Sequence, residues 1–283
     1  MLKFEADDVF SGIEHYRMPD PKHWGGVKNP LFQAFKKRLH NITAEDLSDE
    51  EILEMTIGKD ATRESRMEAV TRIALQTFDC RIVGGFVRDW IVNGDRKHPQ
   101  GIAPKDWVEV KADYEHKQPP DHPKGWMKWD FEDTVDVVPK DLDIELMTQY
   151  FDVNRFIAEL TKFKIVVDHH QHIPQRHIFL FDKETGPFTA DFIEPHFACL
   201  HTRGDFNVNC LCVSRFPDQI GLKMEYTTPS GEDTLEVSSV IKDCRQHQLV
   251  PMQGHVGIIK DRTEKMEKRG WFIYPLSSFT NDI

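Results

Sequence analysis

In residues 65–78 the apolar side chains Met67, Val70, Ile73, Ala74 and Phe78 recur at the spacing of one helix face. A short apolar run at 80–83 reads as a strand, Gly84-Gly85 interrupts it, and 86–92 resumes as a helix that stops near Gly94. In 141–146 the pattern changes to strict alternation. Asp141, Asp143 and Glu145 fall on one side, Leu142, Ile144 and Leu146 on the other, as in a strand with one buried face. Residues 188–193 alternate in the same way, with Phe188, Ala190 and Phe192 opposite Thr189, Asp191 and Ile193. A helix is predicted over 151–163, strands over 165–167 and 177–181, and a mostly helical region from 237 to Gly270-Trp271. Strand, helix, strand, helix and further strands predict a mixed α/β (α+β) domain with a helical appendage.

Two stretches lack this regularity. Residues 1–64 read as an N-terminal arm, helical or irregular, with a helix start at Ser48-Asp49-Glu50-Glu51, whose acids suit the first turn. Residues 95–139 hold six prolines, three tryptophans and ten acidic residues, a composition that predicts an insertion with little regular core. The expected organisation is therefore the arm, a head over 65–215 carrying the 95–139 insertion, and a neck-like region over 216–283.

Composition narrows the function. Arginine and lysine number 36 against 47 acids, a net charge of −11, which argues against a protein that coats nucleic acid with a broad basic surface. Five scattered cysteines fit reduced thiols, and no apolar run suggests a secretory signal or a membrane span. A cytoplasmic protein without membrane partners is expected.

The chemistry concentrates in the acidic strand. Asp141 and Asp143 on one face repel each other unless a cation separates them, and magnesium takes one or two carboxylates together with substrate phosphates. A third acid from a neighbouring strand would complete the set. Asp191 is the first candidate, with Glu194 and Asp182 as competitors. Asp106 follows the same Pro-Lys lead-in as Asp141, but Val108 stands two residues on, so no second acid shares its face. Gly84-Gly85 would let backbone amides approach a phosphate, and Arg88 in the following turn could add charge-assisted contacts.

Gly84-Gly85-Phe86-Val87-Arg88-Asp89, Lys140-Asp141-Leu142-Asp143 and Arg203-Gly204-Asp205-Phe206-Asn207-Val208-Asn209 occur in that order. Together they resemble the head domain of class II tRNA CCA-adding enzymes and bacterial poly(A) polymerases, members of the DNA polymerase beta nucleotidyltransferase superfamily. The resemblance covers about residues 65–215. A fainter likeness to the family's neck helix runs from Arg262 to Trp271.

The resemblance implies a head with a mixed sheet, two magnesium ions, and ATP or CTP as substrate, with an RNA 3′ end, most often that of tRNA, as acceptor. It implies Asp141, Asp143 and Asp191 as metal ligands and catalytic carboxylates, and Gly84 and Gly85 along the triphosphate. Arg88 and Asp89 would brace the nucleotide site, and Arg203, Asp205 and Asn209 the ribose pocket. The chain departs from the family in the long gap between Asp89 and Asp141, in Gly204 and Asn207 within the third motif, and in the lack of a Glu-Asp-x-x-Arg base-reading segment after residue 209. The acceptor and the base therefore stay open. Nucleotidylation of a protein or small molecule, and a non-catalytic nucleotide-binding scaffold, are the alternatives.

Other clusters remain as candidates. His169, His170, His172 and His177 could ligate zinc but lack a zinc-motif spacing, and a loop or strand-edge role is the expectation. Cys210 and Cys212 are expected as small buried hydrophobes. Trp107, Trp126 and Trp129 are expected as a local core of the insertion. Arg262, Lys265 and Arg269 share one helical face, available to phosphate or simply solvated.

Overall fold

The computed structural model describes residues 43–44, 46–113, 128–148, 150–173, 175–195, 205–216, 219–224, 237–251 and 256–273. Arg203, Gly204, Cys199, Trp126 and most of the N-terminal arm lie outside these residues.

The architecture is mixed α and β. An eight-stranded sheet runs in the order β1 (Thr43–Ala44), β10 (Gln219–Met224), β9 (Leu211–Phe216), β2 (Arg81–Val83), β5 (Asp141–Glu145), β8 (Phe188–Ile193), β7 (Arg176–Phe181) and β6 (Val167–Ile173). Every pairing is antiparallel except β5 with β8, which is parallel. The two acid-bearing strands are thus the central parallel pair.

The helices α1 (Asp49–Ile57), α2 (Arg63–Phe78) and α3 (Val153–Lys162) precede and punctuate the sheet, and α4 (Val237–Arg245) and α5 (Val256–Lys268) follow it. Helix α1 starts where the sequence suggests, with Ser48 and Glu51 forming a reciprocal capping box. Helix α2 begins on a second such box between Thr62 and Ser65, and ends at Asp79 in the left-handed conformation. Its Met67, Ala69, Val70, Ile73, Ala74 and Leu75 are buried.

An aromatic cluster sits under α3. Phe156 meets Phe192 at 4.8 Å and Phe179 at 5.6 Å, both edge to face, and Phe151 stacks on Phe192 at 5.0 Å. Such pairs contribute about 0.5–1.5 kcal/mol each beyond burial. They cover the apolar face of β7 and β8 and leave the acid-bearing face on the other side.

Three features add to the expected organisation. Strand β1 of the N-terminal region joins the sheet, and Ile52 of α1 is buried in the core. Strand β10 pairs along its whole length with β9, which carries the sheet past residue 215. The 95–139 insertion contains regular structure. Strands β3 (Val108–Asp113) and β4 (Lys128–Asp133) form a hairpin, and Trp107 is buried and donates through Nε1 to the Ile102 carbonyl. The prolines that masked this hairpin fall outside its two strands.

Arg63 joins α2 to the central strands. Its guanidinium donates to the carbonyls of Pro187 (2.7 Å), Pro139 (2.6 Å) and Lys140 (2.8 Å), fixing the starts of β5 and β8 at a common height. Burial pulls its pKa down to about 10, so it stays charged at neutral pH. Arg63→Ala is expected to cost about 3 kcal/mol in urea unfolding, because buried carbonyls lose a charged donor. Arg63→Lys should recover little, since an ammonium lacks the planar fork that reaches three acceptors. Full stability in either variant would contradict this anchoring role. Among the described residues, no helix is long and apolar enough to cross a membrane.

Candidate active site

The acid strand forms because Leu142 and Ile144 are fully buried on one face, which leaves Asp141 and Asp143 on the other. In the parallel ladder Asp143 stands opposite Asp191 and Asp141 opposite Thr189. In the antiparallel ladder Val83, the last residue before the glycine turn, stands opposite Asp143. Motifs far apart in sequence therefore meet at one level of the sheet.

Gly84 has φ +75°, and a Cβ there would collide with Asp143 Oδ2. Glycine suits the position for both reasons: it takes the positive φ without strain, and the Asp143 carboxylate occupies the place that a Cβ would fill. The chain then enters a widened, π-helical turn at Val87–Val92, a form that recurs at functional sites.

That turn carries a polar network. Arg88 donates through Nε to Asp89 Oδ1 (2.5 Å) and through Nη2 to Asp89 Oδ2 (2.8 Å), and its Nη1 donates to Asn209 Oδ1. Asn209 Nδ2 donates to Asp205 Oδ1 at 3.0 Å, and Arg262 of α5 donates to Asp205 Oδ2 at 2.6 Å. The Arg88 guanidinium also lies 5.2 Å from the Trp271 ring centre, within cation–π range. Four of the residues singled out in the sequence, Arg88, Asp89, Asp205 and Asn209, are thereby joined to one another and to α5. Arg203 lies outside the described residues.

The acids are crowded. Burial, with Asp141 and Asp191 alongside, pushes Asp143 up to about 8 against the opposing pull of Arg176 and Arg262. Asp141 is raised too, chiefly by burial, with Lys140 and Lys265 opposing. The third acid of β5, Glu145, is engaged by Arg81 Nε at 2.6 Å, so it does not join the open set. Asp191 is gripped by Arg176, whose Nε donates to Oδ1 at 3.0 Å and whose Nη2 donates to Oδ2.

Nothing in the local sequence marks Arg176 as this partner. It becomes visible only once the β7–β8 register sets Arg176 opposite Ile193 and Ile178 opposite Asp191. Of the competing acids, Asp182 pairs with Arg66 at 2.9 Å, and Glu194 turns to the opposite face. Asp106 lies in a short 3-10 turn rather than on a strand, consistent with a poor ligand.

Asp141 and Asp143 offer the hard oxygen donors that suit magnesium, and the crowding of negative charge beside the glycine turn is what a divalent cation would offset. Among the described residues, one trio of His, Cys, Asp or Glu donor atoms lies within 4.8 Å of one another, and it is His172, His177 and Glu194 rather than the acidic trio. The Arg176 grip on Asp191 is the evident physical obstacle to closing the acids around one ion.

Basic groups face the acids from α5. Lys265 and Arg269 both act on Asp141, and burial followed by the nearby Arg269 and Lys140 lowers the pKa of Lys265. A cavity of about 480 Å³ adjoins them, lined by Asp136, Asp261, Glu264, Lys265, Lys268 and Arg269. Its lining mixes three acids with three basic groups and includes none of Asp141, Asp143 or Asp191, so the cavity lies beside the acid face and not across it.

The remaining sequence candidates take structural places. Cys210 and Cys212 are buried, as expected. Of the two places expected for the histidines, loop or strand edge, the structure shows the strand edge: His169, His170 and His172 lie in β6, the edge strand of the sheet, and His177 lies in the adjacent β7. Burial, with His172 and His170 beside it, pushes His177 down to about 4. Compared with known proteins, the chain matches no family model, and a search of curated proteins returns no match either.

Proposed function

We propose that this protein is a metal-dependent nucleotidyltransferase, moving a nucleoside monophosphate from a nucleoside triphosphate to a hydroxyl group. The observation that carries the reading is the contact between Gly84 and Asp143, which brings the glycine turn and the Asp141/Asp143 pair to one point. The motif resemblance and the basic face of α5 support it.

In this reading Asp141 and Asp143 hold magnesium, which when bound neutralises charge on the phosphates. Asp191, braced by Arg176, is the third carboxylate. Gly84 and Gly85 leave room for the triphosphate to approach the backbone. Lys265 and Arg269 offset phosphate charge from the opposite side. Arg88, Asp89, Asn209 and Asp205 keep the turn and α5 in fixed relation, a positioning role. The acceptor oxygen attacks the α-phosphorus, the bond from that phosphorus to the bridging β-phosphate oxygen breaks, and pyrophosphate leaves. The hydroxyl proton passes to a carboxylate of the acid face. Positioning and charge stabilisation supply most of the acceleration, as in phosphoryl transfer generally.

An RNA 3′ end, such as that of tRNA, is the proposed acceptor, and ATP or CTP the proposed donor, both by the family resemblance. The test is incubation with each α-labelled triphosphate, magnesium and a tRNA lacking its terminal nucleotides. Label should appear on the RNA, and Asp141→Ala should lower the rate by on the order of 10³-fold with unchanged circular dichroism. Label on the protein or on a small molecule would move the acceptor to the alternative class. Label nowhere, with no triphosphate binding in calorimetry, would sink the enzymatic reading.

A further inference from the structure

The face of the sheet opposite the acids holds a second cluster. In the β6–β7 hairpin His172 stands directly across from His177, and His177 stands across from Phe192 of β8. Glu194 lies two residues beyond Phe192, on the same side, and its backbone N–H donates to the Gln175 carbonyl at 3.0 Å. One donor atom from each of His172, His177 and Glu194 lies within 4.8 Å of the other two. The rings of His172 and His177 are stacked at 4.4 Å and 15°.

We propose that His172, His177 and Glu194 form a binding site for a divalent transition metal of the zinc class, separate from the acid face.

Three features carry this. First, the donor set is two imidazoles and one carboxylate, which suits zinc and its neighbours, whereas magnesium and calcium prefer oxygen alone. Second, the ring of His177 is already oriented. Its Nδ1 lies 3.3 Å from His170 Nε2, so its Nε2 is the atom left for a ligand bond, and a hydrogen bond at the far nitrogen is the usual support for a ligating histidine. Third, the approach needed is small. Zinc bonds of about 2.0–2.1 Å at tetrahedral angles place donors roughly 3.3 Å apart. Rotation of the exposed His172 and of Glu194 at the strand end can close the difference, while His177, nearly buried against Phe151, stays in place.

Three protein ligands would leave a fourth position for water. Strand β6 is the sheet edge, so a bound ion would tie that edge to the end of β8 across the hairpin.

The test uses the full chain, stripped by a chelator and titrated with cobalt(II), whose visible absorption separates four-coordinate from six-coordinate binding. A single four-coordinate cobalt, displaced by zinc, is expected. His172→Ala and Glu194→Gln should each weaken binding by about tenfold or more. Asp143→Asn should leave it unchanged, which separates this site from the proposed magnesium site. Because His172 is exposed, its variant should keep the wild-type circular dichroism. Absence of four-coordinate cobalt would overturn the proposal, as would wild-type affinity in both variants, or loss of binding in Asp143→Asn.

Discussion

Asp143→Asn is expected to raise the melting temperature of the metal-free protein at pH 8 while removing the nucleotidyl transfer proposed for it. The two effects share one cause. Asp143 sits opposite Asp191 and two residues from Asp141, and burial with these neighbours pushes its carboxyl up to about 8. The folded chain therefore holds this proton more tightly than the unfolded chain, where the ordinary value is 3.8. Linkage then requires stability to fall as pH rises through the window from about 4 to about 8, because the unfolded state binds fewer protons across it. Asparagine removes the charge that must otherwise be buried, and should stabilise the fold at pH 8 by on the order of 1–2 kcal/mol, a few degrees in melting temperature. At pH 4 the gain should vanish. The same substitution deletes a proposed metal ligand, so turnover should fall by on the order of 10³-fold. Thermal melts of both proteins from pH 4 to 8, with chelator and then with magnesium, decide the matter. Magnesium should stabilise the wild type and not the variant. A lower melting temperature for Asp143→Asn at pH 8, or a wild-type curve flat across the window, would count against the crowded-carboxylate picture.

Arg88→Ala should give the largest loss of stability of any substitution at the site. Arg88 and Asp89 are both buried, at 4% and 5% exposure, and each is the other's direct charge partner. Removing the arginine leaves the Asp89 carboxylate without its two guanidinium bonds, frees one Asn209 oxygen, and strips the face of Trp271. Breaking a buried pair from one side typically costs about 3–5 kcal/mol. For a chain of this size that is roughly 10 °C in melting temperature. The pair itself contributes far less than this, so the Arg88→Met, Asp89→Leu double variant should be less damaged than Arg88→Ala alone. Urea denaturation of the single and double variants completes the cycle. Additive losses would mean that the two side chains are independent, against the hydrogen bonds between them.

The parts of the site that were legible in the sequence are those governed by local period. Alternation in 141–146 gave the acid face, because the apolar partners Leu142 and Ile144 leave Asp141 and Asp143 no other side. Helical spacing in 65–78 gave α2 within two residues. Gly84-Gly85 marked a turn, as its positive φ demands.

What was hidden depends on register or on pairing between distant segments. The hold of Arg176 on Asp191 requires knowing how β7 lies against β8. The strand expected over 165–167 meets the observed β6, Val167–Ile173, only at Val167, because the histidines of β6 give no apolar stripe and pairing with β7 overrides that weak local signal. The hairpin of the insertion has alternating residues such as Val108, Val110, Trp129 and Phe131, but the proline-rich composition around them outweighs so short a local signal. The link from Arg262 to Asp205 spans 57 positions, beyond any periodicity.

The backbone bridge between Lys97 and Val138, with N–H to carbonyl bonds of 2.9 Å and 3.0 Å in the two directions, closes the insertion at its base. The chain leaves and re-enters the head through this clasp, which holds the two ends of the insertion together between the glycine turn and the acid strand. Closure entropy grows only logarithmically, about 0.6 kcal/mol for each doubling of a flexible loop. The long gap that separates these motifs in sequence is therefore energetically cheap. A change in the length of the hairpin's connection should therefore leave the distance between Gly84 and Asp143 little altered.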